Sequence, residues 1–243
     1  MSGHSKWATI KRDKAKTDAA RGNVFTKIGR EIAIAVKNGG GDPLNNPRLA
    51  TVIAKAKANN MPNENIQRSI KKASGELGNV NYEEMIYEGY GPGGSAVMLD
   101  ILTDNKNRAS SDIRHIFDRA GGSLAGPGAV AYLFSRKSVV VVKAPQNMSE
   151  DDITMIALEA DADDVENCGD GIFTIYGDVS KLSQIKKSAE DAGLKVESAE
   201  VEQVPTDYIE LEDSKYESFL KMIDNLEEND DVQNVYHNVA LKE

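Results

Sequence analysis

A chain of 243 residues has room for two or three modest domains or one large one. Its 40% hydrophobic and 28% charged residues are the balance of a soluble globular protein, and the lack of any eighteen-residue apolar run excludes a membrane-spanning helix. The net charge of −10 conceals a split: residues 1–72 hold fifteen Lys/Arg and five Asp/Glu (net +10), residues 73–243 fourteen and thirty-four (net −20).

A basic segment on an acidic body points to a nucleic-acid partner met by the N-terminal end alone. The single cysteine, Cys168, rules out an internal disulfide and fits a reducing cytoplasm. One cysteine with three histidines makes a zinc site of the usual ligand type unexpected, so no metal is assigned. The first residues lack the apolar stretch of a secretory signal, so a cytoplasmic protein is expected.

In chain order, residues 1–20 are polar and basic and read as an arm with a short helix. Phe25, Ile28, Ile32 and Ala35 then recur at spacings of three and four, the stripe of a helix that Gly39-Gly40-Gly41 ends. Asn46-Pro47 supplies an N-cap and a proline for a second helix, with Leu49, Val52, Ile53 and Ala56 inward. A third begins near Pro62-Asn63, turns Ile66, Ile70 and Ala73 inward and stops at Gly75. Residues 75–81 read as a linker.

Beyond it, Val97–Leu102 reads as a buried strand, 107–119 as a helix with Ile113, Ile116 and Phe117 inward, and Tyr132-Leu133-Phe134 as a short strand. Next come a β-branched strand at Val139–Val142 and a helix opened by a capping box at Ser149–Asp152. Strands at 164–168 and 172–176 flank the hairpin signal Gly169-Asp170-Gly171. A helix from Ser180 to Gly193 and a strand over Val196–Val204 complete a β-α-β-β-α-β order, the ferredoxin-like arrangement. Residues 205–243 read as strand, helix and strand, with a second capping box at Ser214–Glu217 and Phe219, Met222, Ile223 and Leu226 inward. Those elements are too few to fold alone. The expected fold class is therefore multi-domain α+β: a basic helical domain over 1–75, a discontinuous α+β domain over 80–135 plus 205–243, and a ferredoxin-like domain over 136–204 inserted in it.

The candidate nucleic-acid-binding residues are the cations of the first domain and one aromatic: Lys6, Trp7, Lys11, Arg12, Lys14, Lys16, Arg21, Lys27, Arg30, Lys55, Lys57, Lys71 and Lys72. Cations on an arm or helix face displace counterions from a phosphate polymer, which makes association salt-dependent. Two roles are open to Trp7, stacking on a base or plugging the bundle. Lys71 and Lys72 equally suit the C-terminal dipole of their helix. Three short helices invite a helix-turn-helix reading, but no recognition helix is identifiable by spacing. Gly91-Pro92-Gly93-Gly94 and Gly121–Gly128 match neither phosphate-loop nor dinucleotide fingerprints, and read as tight turns or as loops that approach RNA or peptide closely. Asp161, Asp163, Asp164, Glu166 and Asp170 lack the glycine and glutamate of a calcium loop and read as a solvated acidic face. His4, His115 and His237 accompany no nucleophile motif, so no catalytic residue is assigned.

The segments Met1-Ser2-Gly3-His4-Ser5-Lys6-Trp7, Asp18-Ala19-Ala20-Arg21-Gly22, Asp42-Pro43, Asn59-Asn60-Met61-Pro62, Tyr87–Gly94 and Asn105-Lys106-Asn107-Arg108 together closely resemble the YebC/PmpR family over essentially the whole chain. The resemblance implies three domains with the third inserted in the second, no enzyme activity and no cofactor. It implies promoter-DNA binding in transcription control; members of the wider family act in translation, one as a mitochondrial activator and some on ribosomes stalled at proline-rich stretches, so ribosomal RNA or tRNA is the alternative partner. A ligand-sensing or protein-interaction module built on the ferredoxin-like unit is a third reading. Oligomeric state is left open.

Overall fold

The structure, a computed structural model, describes residues 19–75 and 81–241. The described chain forms two compact units. One takes the residues up to Ala129 and Glu212–Val235; the other takes Val130–Leu211 and the residues from Tyr236.

The first unit contains three helices, α1 (Ala19–Gly39), α2 (Pro47–Ala58) and α3 (Asn63–Ala73). Ile28, Ile32, Ala35, Leu49, Val52, Ala56, Met61, Ile66 and Ile70 form their shared core, as the apolar periodicity predicts. Asn46 caps α2 by accepting a hydrogen bond from the Leu49 N–H at 3.1 Å. The same unit holds a sheet of β1 (Glu83–Tyr90), β2 (Ala96–Thr103), β3 (Ser123–Ala125) and β8 (Val232–His237), of which the last two residues of β8 group with the second unit. The order is β3-β1-β2-β8, with β1 antiparallel to both β2 and β3. Helices α4 (Lys106–Arg119) and α7 (Asp213–Glu228) complete it, burying Ile113 and Phe117 from one and Phe219, Met222, Ile223 and Leu226 from the other.

The second unit has the element order the sequence predicts: β4 (Phe134–Lys143), α5 (Glu150–Glu159), β5 (Asp164–Gly169), β6 (Ile172–Gly177), α6 (Leu182–Asp191) and β7 (Lys195–Pro205). Its strand order is β5-β6-β4-β7, every neighbouring pair antiparallel. Strand alternation turns Val140 and Val142 toward Ile153 of α5 and Ile185 of α6, and Val141 toward Cys168 and Ile172 on the other face. The capping box of α5 is present, with Ser149 and Asp152 exchanging side-chain-to-backbone bonds.

Four expectations are corrected. β1 and β3 are strands that the sequence pattern does not announce: β1 opens Glu83-Glu84 and contains Glu88 and Gly89, residues depleted in strands. Ala131–Leu133 is a single 3-10 turn rather than a strand, and Phe134 begins a ten-residue β4 that absorbs the expected Val139–Val142 segment. The expected strand after residue 205 reduces to one isolated parallel bridge, Ile209 to Val239. Ser214 makes no capping box, because α7 has already begun: the Tyr216 N–H bonds the Glu212 carbonyl at 2.8 Å, which puts Ser214 inside the first turn.

Candidate nucleic-acid interface

The three helices share one core, so their polar faces must point away from it. On α3, Ile66 and Ile70 are inward, which leaves Arg68, Lys71 and Lys72 exposed on the outside. On α2, Ala56 is inward and Lys57 is exposed. These four cations make no ion pair among the described residues. Arg68 is an exposed cation outside the expected set; it stands three and four residues before Lys71 and Lys72, on the same helical face.

The other predicted cations are placed differently. Lys6, Trp7, Lys11, Arg12, Lys14 and Lys16 lie outside the described residues. Arg21 lies in α1, where its backbone alone is described. Lys27 and Arg30 face into the first unit. The Lys27 ammonium donates to the Glu227 carbonyl at 2.6 Å. The Arg30 guanidinium donates to the Leu102 carbonyl at 3.0 Å, pairs with the Asp231 carboxylate and lies 5.5 Å over the Tyr82 ring. Lys55 pairs with Glu31 at 2.9 Å. Lys37 reaches Asn81, and Arg48 pairs with Glu84. Of the expected set, Lys57, Lys71 and Lys72 are exposed and unpaired among the described residues, as is Arg68, whereas Lys27, Arg30 and Lys55 are turned to partners of their own chain.

The glycine-rich segments are tight turns. Gly93 and Gly94 have φ of +73° and +77°, the left-handed region. A Cβ on Gly122 would lie 2.4 Å from the Tyr90 carbonyl oxygen, so only glycine lets β3 approach β1 there. The loop after β3 is held from β1: the Glu88 carboxylate accepts from the Gly128 N–H at 2.7 Å, and the Tyr90 hydroxyl donates to the Ala129 carbonyl at 2.8 Å.

In the second unit the acidic run is tied down locally. Asp161 pairs with Lys181 at 2.8 Å, which holds its carboxyl below the usual range, and Asp163 pairs with Lys137 at 3.4 Å. The Tyr176 hydroxyl donates to Glu166 at 2.9 Å. Burial, then the nearby Glu166 and Glu202 carboxylates, pushes the Tyr208 phenol up to about 12; burial raises Tyr176 as well. His115 is exposed on α4, and the His237 Nδ1 accepts from the Val239 N–H. Among the described residues no group of three or more His, Cys, Asp or Glu is placed to hold a metal ion, and no helix is long and apolar enough to cross a membrane.

Two family models cover nearly the whole chain. That of the TACO1/YebC protein N-terminal domain matches residues 5–76, and that of the TACO1/YebC second and third domain matches residues 82–239. The chain belongs to the TACO1/YebC family. Its relatives in that family include a "probable transcriptional regulatory protein" of Thermoanaerobacter pseudethanolicus, 51% identical over 243 residues, covering 100% of this chain and 98% of the relative. Proteins of the same description from Treponema denticola and Chlorobaculum tepidum are 51% and 49% identical, each over 100% of this chain and over 98% and 96% of their own lengths. The crystal structure of a conserved hypothetical protein from Aquifex aeolicus superposes with a TM-score of 0.82 at 43% identity, covering 94% of both chains. The family match and this superposition agree with a multi-domain α+β fold. These relatives are described as probable transcriptional regulatory proteins.

Proposed function

We propose that the protein is a non-enzymatic, nucleic-acid-binding regulator of gene expression that grips phosphate with its helical N-terminal part, residues 1–75. One observation carries the reading. Lys57, Arg68, Lys71 and Lys72 stand open on α2 and α3, while the chain after residue 72 has a net charge of −20. Exposed cations of one sign on two helices, joined to a body that repels phosphate, confine the contact to one end. Lys6, Lys11, Arg12, Lys14, Lys16 and Arg21 would extend the same electrostatic footprint along the chain, with Trp7 available to stack on a base. Residues 80–135 with 205–243, and the inserted 136–204, would orient the contact or meet protein.

Control of transcription is the activity that the relatives' descriptions favour, and promoter DNA would be the partner in that reading. Binding to ribosomal RNA or tRNA as a translation factor is the second reading, and the charge distribution favours it: a body of net −20 is repelled along an extended duplex, whereas a closed RNA pocket admits the basic end alone.

The test measures binding of the full chain to fluorescein-labelled duplex DNA and to labelled RNA against salt concentration. Log affinity should fall linearly with log salt. The triple variant Arg68→Glu, Lys71→Glu, Lys72→Glu should flatten that slope by about 0.7–0.9 for each phosphate it no longer neutralises, alike for all sequences. A flat salt response of the unaltered chain refutes the phosphate reading. An altered sequence preference in the triple variant would mean that these residues read bases.

A further inference from the structure

We infer that Arg30 and Asp231 are positioning residues that lock the basic helices onto the first sheet, so that a buried carboxylate promotes nucleic-acid binding; this rests on the reading just proposed. Asn23, Lys27 and Arg30 stand at i, i+4 and i+7 on α1, a polar stripe beside the apolar one. By spacing and charge, Lys27 and Arg30 look like phosphate contacts. In the folded chain the stripe is occupied from end to end. The Asn23 amide and the Lys27 ammonium donate to the Glu228 and Glu227 carbonyls, each at 2.6 Å, at the C-terminus of α7, where the helix presents its partial negative charge. Arg30 reaches the Leu102 carbonyl at the end of β2 and the Asp231 carboxylate at the start of β8.

Asp231 is the centre of this lock. Its side chain is 4% exposed and receives two guanidiniums, Arg30 from α1 and Arg108 from α4, the latter at 3.0 Å to each carboxylate oxygen. Withdrawing Arg30 toward a phosphate would take one of two cations from a buried carboxylate, and a buried charge that loses its partners is strongly unfavourable. The Arg30 side chain is only 12% exposed, so its neighbours leave it little reach toward solvent. Arg30 therefore stays docked when nucleic acid binds. Because α1 shares its core with α2 and α3, fixing α1 fixes the array of Lys57, Arg68, Lys71 and Lys72 relative to the sheet.

The two roles predict opposite signs for one substitution. If Arg30 were a phosphate ligand, Asp231→Asn would remove its competitor and tighten binding. If Asp231 positions the helices, Asp231→Asn weakens binding of the full chain to a labelled RNA oligonucleotide and to duplex DNA by about three- to tenfold, a loss of the order found for interactions within one ionic network. Arg30→Gln should weaken it by a similar factor, and the double variant should be no worse than either single one. Spin labels at exposed Ala54 of α2 and Asp112 of α4, introduced as cysteines in a Cys168→Ala background, should show a broadened distance distribution in Asp231→Asn with unchanged helical circular dichroism. If Asp231→Asn does not fold, Arg30→Lys carries the test: it keeps the charge but loses the planar guanidinium whose Nη1 spans the Leu102 carbonyl and the Asp231 carboxylate, so binding weakens while the salt slope stays the same. Tighter or unchanged binding in these variants overturns the inference. Absence of salt-dependent binding in the unaltered chain overturns the parent reading instead, and the label distances then report on the lock alone.

Discussion

Asn46 offers a test of how the basic helices are held together. The residue is 4% exposed and its side chain makes three hydrogen bonds. Its Oδ1 accepts from the Leu49 N–H at 3.1 Å and caps α2; its Nδ2 donates to the carbonyls of Ala35 at 2.7 Å and Gly40 at 2.8 Å, at the end of α1. Asn46→Ala removes a cap worth about 1 kcal/mol. It also strips partners from two carbonyls, the Ala35 bond being buried, at about 1 kcal/mol each. The expected loss is about 3 kcal/mol. Asn46→Asp separates the two contributions. It keeps the capping oxygen but replaces the donor with an acceptor facing two carbonyls, so it should destabilise at least as much as alanine. Gly39→Ala should couple to Asn46→Ala and not to Asn46→Asp, since a Cβ there would lie 2.7 Å from the Asn46 amide and only the alanine shortens the side chain enough to relieve the clash. Urea unfolding followed by circular dichroism measures the change. Hydrogen exchange of the α1–α3 amides localises it, because a chain of two units need not unfold in one step. If Asn46→Asp falls within about 0.5 kcal/mol of the natural chain, capping alone matters and the two carbonyl bonds carry no weight.

Three further outcomes are expected. Gly122→Ala, whose Cβ meets a backbone oxygen at 2.4 Å, should cost about 1–3 kcal/mol in urea unfolding, whereas Gly126→Ala, with nothing within 4 Å, should be close to neutral; equal effects would contradict the close approach of β3 to β1. The Asp152 carboxyl is held below its ordinary value of 3.8 by the Ser149 N–H and then by the Ser149 hydroxyl. Its contribution to stability is thus present above that value and lost as pH falls below it, and Ser149→Ala should raise the Asp152 pKa part of the way back in an NMR titration; no rise would remove the hydroxyl from the cap. Tyr208 is raised from 10.0 to about 12, so the stability it contributes by staying neutral is complete below pH 10 and is lost as pH rises through 12. Tyr208→Phe should flatten the alkaline limb of the pH–stability curve, and an unchanged limb would show that the phenol is free to ionise.

Much of the local structure is legible because periodicity and caps act over a few residues. The helices at Ala19–Gly39, Pro47–Ala58, Asn63–Ala73 and Lys106–Arg119 follow from apolar spacing and from glycine or asparagine at their ends. The β-α-β-β-α-β order of the second unit follows from β-branched runs and the Gly169-Asp170-Gly171 hairpin. β1 is not legible. Its residues are acidic and half exposed, and it is a strand because β2 and β3 pair with its two edges, a condition set by segments elsewhere in the chain. The same holds for Ser214, whose capping pattern is overridden by a helix that starts earlier.

The charge split is determined by the sequence alone: counting residues places ten net positive charges before residue 73, whatever the fold. Which of those cations remain open is decided only by tertiary structure. Lys27 and Arg30 stand at spacings as suitable for phosphate as those of Arg68 and Lys71, and the sequence holds nothing to separate them. Their partners are Glu227 and Asp231, two hundred and two hundred and one positions away, brought beside α1 by the return of the chain through α7 and β8. Helical spacing shows which side chains share a face; whether that face meets solvent or a distant carboxylate depends on packing, and packing joins residues that no local pattern links.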